Sequence, residues 1–493
     1  VGGVRVEGDR FMEHFDVLVM GAGLSGVGAG CHLKMQCPDH TFLILEGRAR
    51  MGGTWDLFRY PGIRSDSDMY TLGYSFRPWP HAKAIADGPA ILQYIEDTAR
   101  DFGVDKHIRY RHRIVRASWS KADTRWTVEA LVGEDATPTS FTCNFLIGCG
   151  GYYRYEAGYT PVFPGVEQFR GRVVHPQHWT DDIDYANKRV IIIGSGATAV
   201  TLLPSLAEKA EHVTMLQRSP TYVVARPAED AVANRLREKL PAKAAYGLTR
   251  WKNVTLNMLF YQYARRRPEE TKRLVVGGVK QALGRDYDVR THFTPNYKPW
   301  DQRMCVVPDG DMFKVIRQGK ASVVTDHIER ITAKGILLKS GTELEADLII
   351  TATGLELQVM GGVKLIVDGT PVSFPDKLSY KGMMLSDVPN MVAVTGYTNA
   401  SWTLKADLTM GYACRLLNHM RAKKYTRCMP RNLDSSVRKE PWLSFTSGYV
   451  QRAMDKFPKQ GSKHPWRLYQ NYALDMLNLR LSRLHDGVMQ FDR

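Results

Sequence analysis

Two glycine-rich turns mark where chemistry is concentrated in this chain: Gly21-Ala22-Gly23-Leu24-Ser25-Gly26 and Gly194-Ser195-Gly196-Ala197-Thr198-Ala199. A turn of this kind, set between a strand and a helix, lets backbone approach a pyrophosphate while the helix N-terminus faces the anion. In the first, Gly21 permits the tight turn, Gly23 the approach to phosphate, and Gly26 the close packing of helix on strand. Glu46 follows 20 residues after Gly26 and is placed to accept hydrogen bonds from both hydroxyls of an adenosine ribose. FAD or NAD fits such a site, and NADP does not. The second turn repeats the design through Gly194, Ser195, Gly196, Thr198 and Ala199, but its following strand ends in Gln217-Arg218. A guanidinium pairs bidentately with the 2′-phosphate that a carboxylate repels, so this half reads as an NADP site. Two bound dinucleotides imply electron exchange between them.

Each turn needs a strand before it and a helix after it. Apolar runs predict strands over 17–20 and 41–45 around a helix over 27–35, and strands over 190–193 and 213–216 around a helix over 200–209. From 220 to 288 the alternation stops and the pattern turns helical; strands resume at 321–325, 335–338 and 347–351. The expected fold is α/β, with two Rossmann-like dinucleotide-binding domains and an inserted helical subdomain. Its expected parts are an FAD-binding domain over 12–152, an NADP-binding domain over 160–220, a helical insertion over 221–290, the second part of the NADP-binding domain over 291–378, and the C-terminal part of the FAD-binding domain over 385–493.

Composition narrows the partners. The 493 residues carry a formal net charge of +16 and are 44% hydrophobic, which suits two or three soluble domains. The positive residues are scattered and accompany no nucleic-acid motif, so no nucleic acid is expected, and anionic cofactors or anionic membrane surfaces benefit instead. The densest basic stretch, 235–273, sets Arg265-Arg266-Arg267 beside the apolar run 256–263. A solvated helix face is the first reading of it and a membrane-facing patch the alternative. Seven cysteines, none in CxxC spacing, favour a reducing compartment and give no thiol pair for a flavin disulfide reductase. No metal ligand set is expected. The N-terminus lacks a signal-peptide core, and Met12 reads as a natural start. With no long apolar run, the expectation is a cytoplasmic protein, with peripheral membrane association as its variant.

Three further motifs carry a resemblance. Gly52-Gly53-Thr54-Trp55, Tyr60-Pro61-Gly62-Ile63-Arg64-Ser65-Asp66 and Phe169-x-Gly171-x-x-x-His175-x-x-x-Trp179 resemble the class B flavoprotein monooxygenases. Within them the chain is similar to the Baeyer–Villiger enzymes, in the branch of ethionamide-activating and long-chain alkane-type monooxygenases; Trp179 and Pro299-Trp300-Asp301-Gln302-Arg303 point the same way. The resemblance implies FAD and NADPH as cofactors, O2 and a hydrophobic small molecule as substrates, and a C4a-peroxyflavin converting medium or long aliphatic, or cyclic, ketones to esters or lactones. S-oxygenation of sulfides or thioamides, or hydroxylation of long alkanes, is the alternative. It also implies that Arg303 is the principal catalytic residue and that Asp66, beside the flavin, pairs with it. Thr54 and Trp55 then line the flavin, and His175 is a hydrogen-bonded link between domains rather than an acid or base. Where many relatives carry Lys this chain has Gln302, so Arg218 bears more of the preference for phosphate.

Overall fold

The computed structural model describes residues 12–443 and 445–493, and the expected start at Met12 concerns 1–11, which lie outside the described residues. β1 (Glu13–Met20), β2 (Phe42–Leu45) and β3 (Ile108–Arg109) run parallel in one sheet, with β1 between β2 and the later half of β6 (Thr137–Gly148). The last four residues of β1 and all of β2 are buried, as continuous apolar runs are when both faces of a sheet are covered. Helix α1 (Leu24–Gln36) covers this sheet, while α2 (Thr54–Leu57), α3 (Met69–Leu72) and α4 (Gly88–Asp101) fill the connection from β2 to β3. β4 (His112–Ser120) and β5 (Arg125–Val132) form an antiparallel meander into the first half of β6.

A second sheet is wholly parallel. It comprises β7 (Arg172–Val174), β8 (Arg189–Ile193), β9 (His212–Gln217), β12 (Ala321–Thr325) and β16 (Leu348–Thr351), in the order β12-β9-β8-β16-β7. Helix α5 (Ala197–Leu206) packs on it, and an antiparallel hairpin array, β13 (Ile328–Ile331), β14 (Gly335–Leu338) and β15 (Glu343–Glu345), closes one side.

The helical excursion opens with a strand that the sequence pattern does not announce. β10 (Val223–Arg226) pairs in parallel with β11 (Cys305–Pro308) before α6 (Ala231–Lys239), α7 (Ala242–Arg266), α8 (Pro268–Leu283) and α9 (Val289–Phe293). The buried Arg250 of α7 donates to the carbonyls of Tyr70 and Gly73 and to Asp407, fastening the excursion to the first unit.

The chain re-enters the first sheet earlier than the boundary at 378 drawn from the sequence. Lys364–Val367 pairs in parallel with β4, because its alternate apolar residues complete the core beneath Trp119. Met391–Ala393 then pairs with β6 at Leu146–Gly148, and the long helix Trp402–Lys423 packs against α1.

Candidate active site

A cavity of about 1340 Å³ lies between the two units and is lined by residues of both glycine turns. In the first turn Gly21 has φ +93°, and a Cβ there would meet the Cys149 carbonyl oxygen at 2.8 Å. A Cβ on Gly26 would fall 1.8 Å from the Gly21 oxygen, so only glycine lets the helix sit this close. Gly26 itself lies behind the cavity lining. α1 begins after Gly23 with no side chain capping it, which leaves its first N–H groups to a ligand. The backbone of Gly53 faces Gly23 across the cradle, and Thr54 opens α2, with the half-buried Trp55 beside it on the cavity. Glu46 is buried: one carboxylate oxygen accepts the Ala22 N–H at 2.7 Å and the other the Arg48 N–H at 2.9 Å. Burial raises its pKa, opposed by those two N–H groups, and they fix the carboxylate at the cavity surface.

The second turn is as crowded at its first glycine and looser at its later positions. Gly194 has φ +137°, and a Cβ would lie 2.3 Å from the Ala352 oxygen. Ser195 Oγ donates to the Ser219 carbonyl at 3.1 Å, tying the turn to the segment that holds Arg218. Gly196 caps α5 by backbone alone and has open space around it. Thr198 lines the cavity, the buried Ala199 packs behind it, and Arg218 is an exposed guanidinium on its surface.

Asp66 and Arg303 meet on the same cavity, Oδ2 to Nε at 3.6 Å. Asp66 comes from the loop after Tyr60-Pro61-Gly62, which is wedged against α5: a Cβ on Gly62 would lie 2.0 Å from Ser205 Oγ. Arg303 precedes β11. Burial pushes the Asp66 carboxyl up while the Arg303 cation pulls it down, and the carboxyl ends above its usual range. Burial opposes the Arg303 charge most strongly, but Asp66 together with Tyr152, Tyr153 and Tyr449 outweighs it, and the guanidinium is held protonated more firmly than usual. Gln302 also lines the cavity.

Tyr152, Tyr153 and Tyr449, which motif reading did not single out, complete the surroundings together with Trp402, which the sequence suggested as returning near the flavin or as a packing residue. Tyr152 stacks on Trp402, with ring centroids 4.8 Å apart, and shares a 2.8 Å hydrogen bond with Tyr153. Trp402 Nε1 in turn donates to Ser25 Oγ of the first turn at 2.8 Å. Burial pushes the Tyr153 and Tyr449 phenols up, so they stand near Arg303 as neutral donors. The run Gly150-Gly151-Tyr152-Tyr153 directly after β6 was the signal available in the sequence.

His175 is not on the cavity lining. Its Nδ1 accepts the Gln177 N–H at 3.2 Å, which leaves Nε2–H to donate to the Gly354 carbonyl at 3.1 Å, just past β16. Burial lowers its pKa and keeps it neutral. Trp179 packs against Tyr185 and the core of the second unit.

Residues 75–261 match the family described as flavin-binding monooxygenase-like, and 19–87 match an NAD(P)-binding Rossmann-like domain. The FAD-containing monooxygenase EthA of Mycobacterium tuberculosis is 52% identical over 480 residues, covering 97% of this chain and 98% of that protein. The probable FAD-binding monooxygenase AlmA of Acinetobacter baylyi is 45% identical, covering 98% and 97%. In fold, the chain is similar to cyclohexanone monooxygenase from Rhodococcus sp. Phi1 bound to NADP+, with a TM-score of 0.76, 19% identity and coverage of 98% and 99%.

Proposed function

The chain belongs to the flavin-binding monooxygenase-like family, and we propose that it is an NADPH- and O2-dependent Baeyer–Villiger monooxygenase that converts aliphatic ketones to esters. FAD sits at the first turn and NADPH at the second in this reading. The residues suit both groups: each helix N-terminus lacks a side-chain cap, and each turn has glycine positions that a Cβ would fill. Glu46 offers acceptors to ribose hydroxyls and Arg218 a cation to a 2′-phosphate. When bound, the two cofactors supply hydride and activated oxygen.

The observation that carries the proposal is the Asp66–Arg303 pair on a cavity shared by both turns. Arg303 contributes a permanent cation where negative charge develops on the reacting oxygen and on the carbonyl adduct. Asp66 aims that cation and limits its freedom. Tyr152, Tyr153 and Trp402 present ring surface that keeps water away. Thr54 and Trp55 hold the flavin face of the cavity, and Ser195, Gly196 and Thr198 the nicotinamide dinucleotide.

The test is NADPH consumption coupled to product identification across 2-alkanones of increasing length, cyclic ketones, an alkyl sulfide and an alkane. Ester or lactone formation with little free peroxide supports the reading. Sulfoxide alone transfers the assignment to S-oxygenation, and hydrogen peroxide alone removes both.

A further inference from the structure

The outer surface of α7 is apolar where an excursion into solvent should be polar. Leu248 and Trp251 lie on it, and the Trp251 ring meets that of Tyr472, 5.8 Å between centroids. Tyr472 opens the short helix Tyr472–Met476, which runs on into a helical turn, Leu477–Leu481; Leu474, Leu477 and Leu481 follow at helical spacing along the two. These five side chains are 43–74% exposed, and the Trp251–Tyr472 contact brings the two segments that carry them together. Contiguous apolar surface of this kind marks an interaction site.

Charge selects the partner. α7 has no Asp or Glu in its 25 residues; of its five basic residues, Arg250, Lys252 and Arg265 are paired with Asp407, Asp230 and Asp301, while Lys243 and Arg266 stand exposed. In 472–485 the one carboxylate, Asp475, is buried on Lys405 and the Tyr397 hydroxyl, while Arg480 and Arg483 are exposed. A leucine and tryptophan surface on segments that also expose Lys243, Arg480 and Arg483 is complementary to an anionic bilayer, which accepts apolar side chains at headgroup depth and attracts cations. A second copy of the chain fits less well, since the same segments expose the same cations and its formal charge is also +16. The inner side of the same short helix holds Tyr397 through Asp475, and Tyr397 lines the active-site cavity. The patch thus stands back to back with the site.

We propose that the face formed by α7 and Tyr472–Leu481 docks the enzyme on anionic membrane surfaces, so that lipid-dissolved substrates are met beside the cavity. The docking stands independently of which oxygenation the enzyme performs. Flotation of the FAD-loaded full chain with phosphatidylcholine vesicles, with and without phosphatidylglycerol, tests it. Binding is expected only with the anionic lipid, accompanied by a blue shift of tryptophan fluorescence. The double substitution Leu477→Asp and Leu481→Asp should weaken that binding about tenfold or more, because it removes apolar anchors and adds negative charge. Oxidation of a short, water-soluble ketone without vesicles should stay at the wild-type rate, which shows that the variant is folded. Absence of wild-type binding to anionic vesicles overturns the proposal, as does unchanged binding by the variant. If the patch instead holds a second copy, sedimentation velocity will show a wild-type dimer that the variant dissociates, and membrane docking is refuted.

Discussion

The two glycine turns are the same device built to different tolerances. In the first, the third glycine is a steric necessity, since a Cβ on Gly26 falls 1.8 Å from the Gly21 oxygen; in the second that position is Ala199, buried and accommodated. The first turn also holds its acid rigidly, with both oxygens of Glu46 accepting backbone N–H groups, while Arg218 of the second stands exposed. A tightly framed site suits a cofactor that stays, and a looser one suits a cofactor that exchanges each cycle. The difference teaches that the same strand-turn-helix design can be backed by very different backbone packing.

That contrast can be sharpened or broken. The largest effect is expected where the two halves meet: Arg303→Ala should cut ester formation about 10²–10³-fold. It should leave flavin content and NADPH binding intact. Undiminished ester output after this substitution would remove the guanidinium from the chemistry. Arg218→Ala should raise the KM for NADPH about tenfold or more while leaving that for NADH nearly unchanged, because a charge-assisted contact to phosphate is worth about 1.5–3 kcal/mol. Equal losses with both nucleotides would break the assignment of the second turn.

Next come the tolerances themselves. Gly26→Ala should destabilise the protein by about 1–3 kcal/mol through overpacking and release flavin, read as lost 450-nm absorbance and a lower Tm. Ala199→Gly should cost only about 1 kcal/mol, the helix-propensity difference, and retain flavin. Equal behaviour would mean the two turns are not differently built.

The smallest effect concerns pH. The His175 pKa is lowered by burial, so the unfolded chain takes up a proton near its ordinary pKa, about 6.5, that the folded chain resists. Stability contributed by the neutral, hydrogen-bonded ring is therefore full above that pH and is lost as pH falls below it. Urea titrations at descending pH should show this decline, and His175→Gln should flatten it.

Local signals were readable in the sequence and long-range ones were not. Gly21, Gly23, Glu46, Gly194 and Arg218 stand within single strand-turn-helix units, where spacing alone carries the geometry. The meeting of Asp66 and Arg303 joins residues 237 positions apart, and only the family resemblance brought them together before the structure did. Tyr449 reaches the neighbourhood of Tyr152 through the C-terminal part of the chain, so no window of sequence contains the aromatic cluster. The strand Val223–Arg226 gives little periodicity against a long helical stretch, because only Val223 of its four residues is buried while Ala225 and Arg226 are exposed. Lys364–Val367 was placed in the wrong unit because its partner, β4, lies some 250 residues upstream.

The late strand Met391–Ala393 has a consequence for synthesis. As the polypeptide leaves the ribosome, the wholly parallel sheet is complete once Thr351 has emerged, whereas the edge of β6 at Leu146–Gly148 stays open until residue 393 follows. The half made first is thus finished last, and during that interval an unpaired strand edge is exposed to mispairing and in need of chaperone cover.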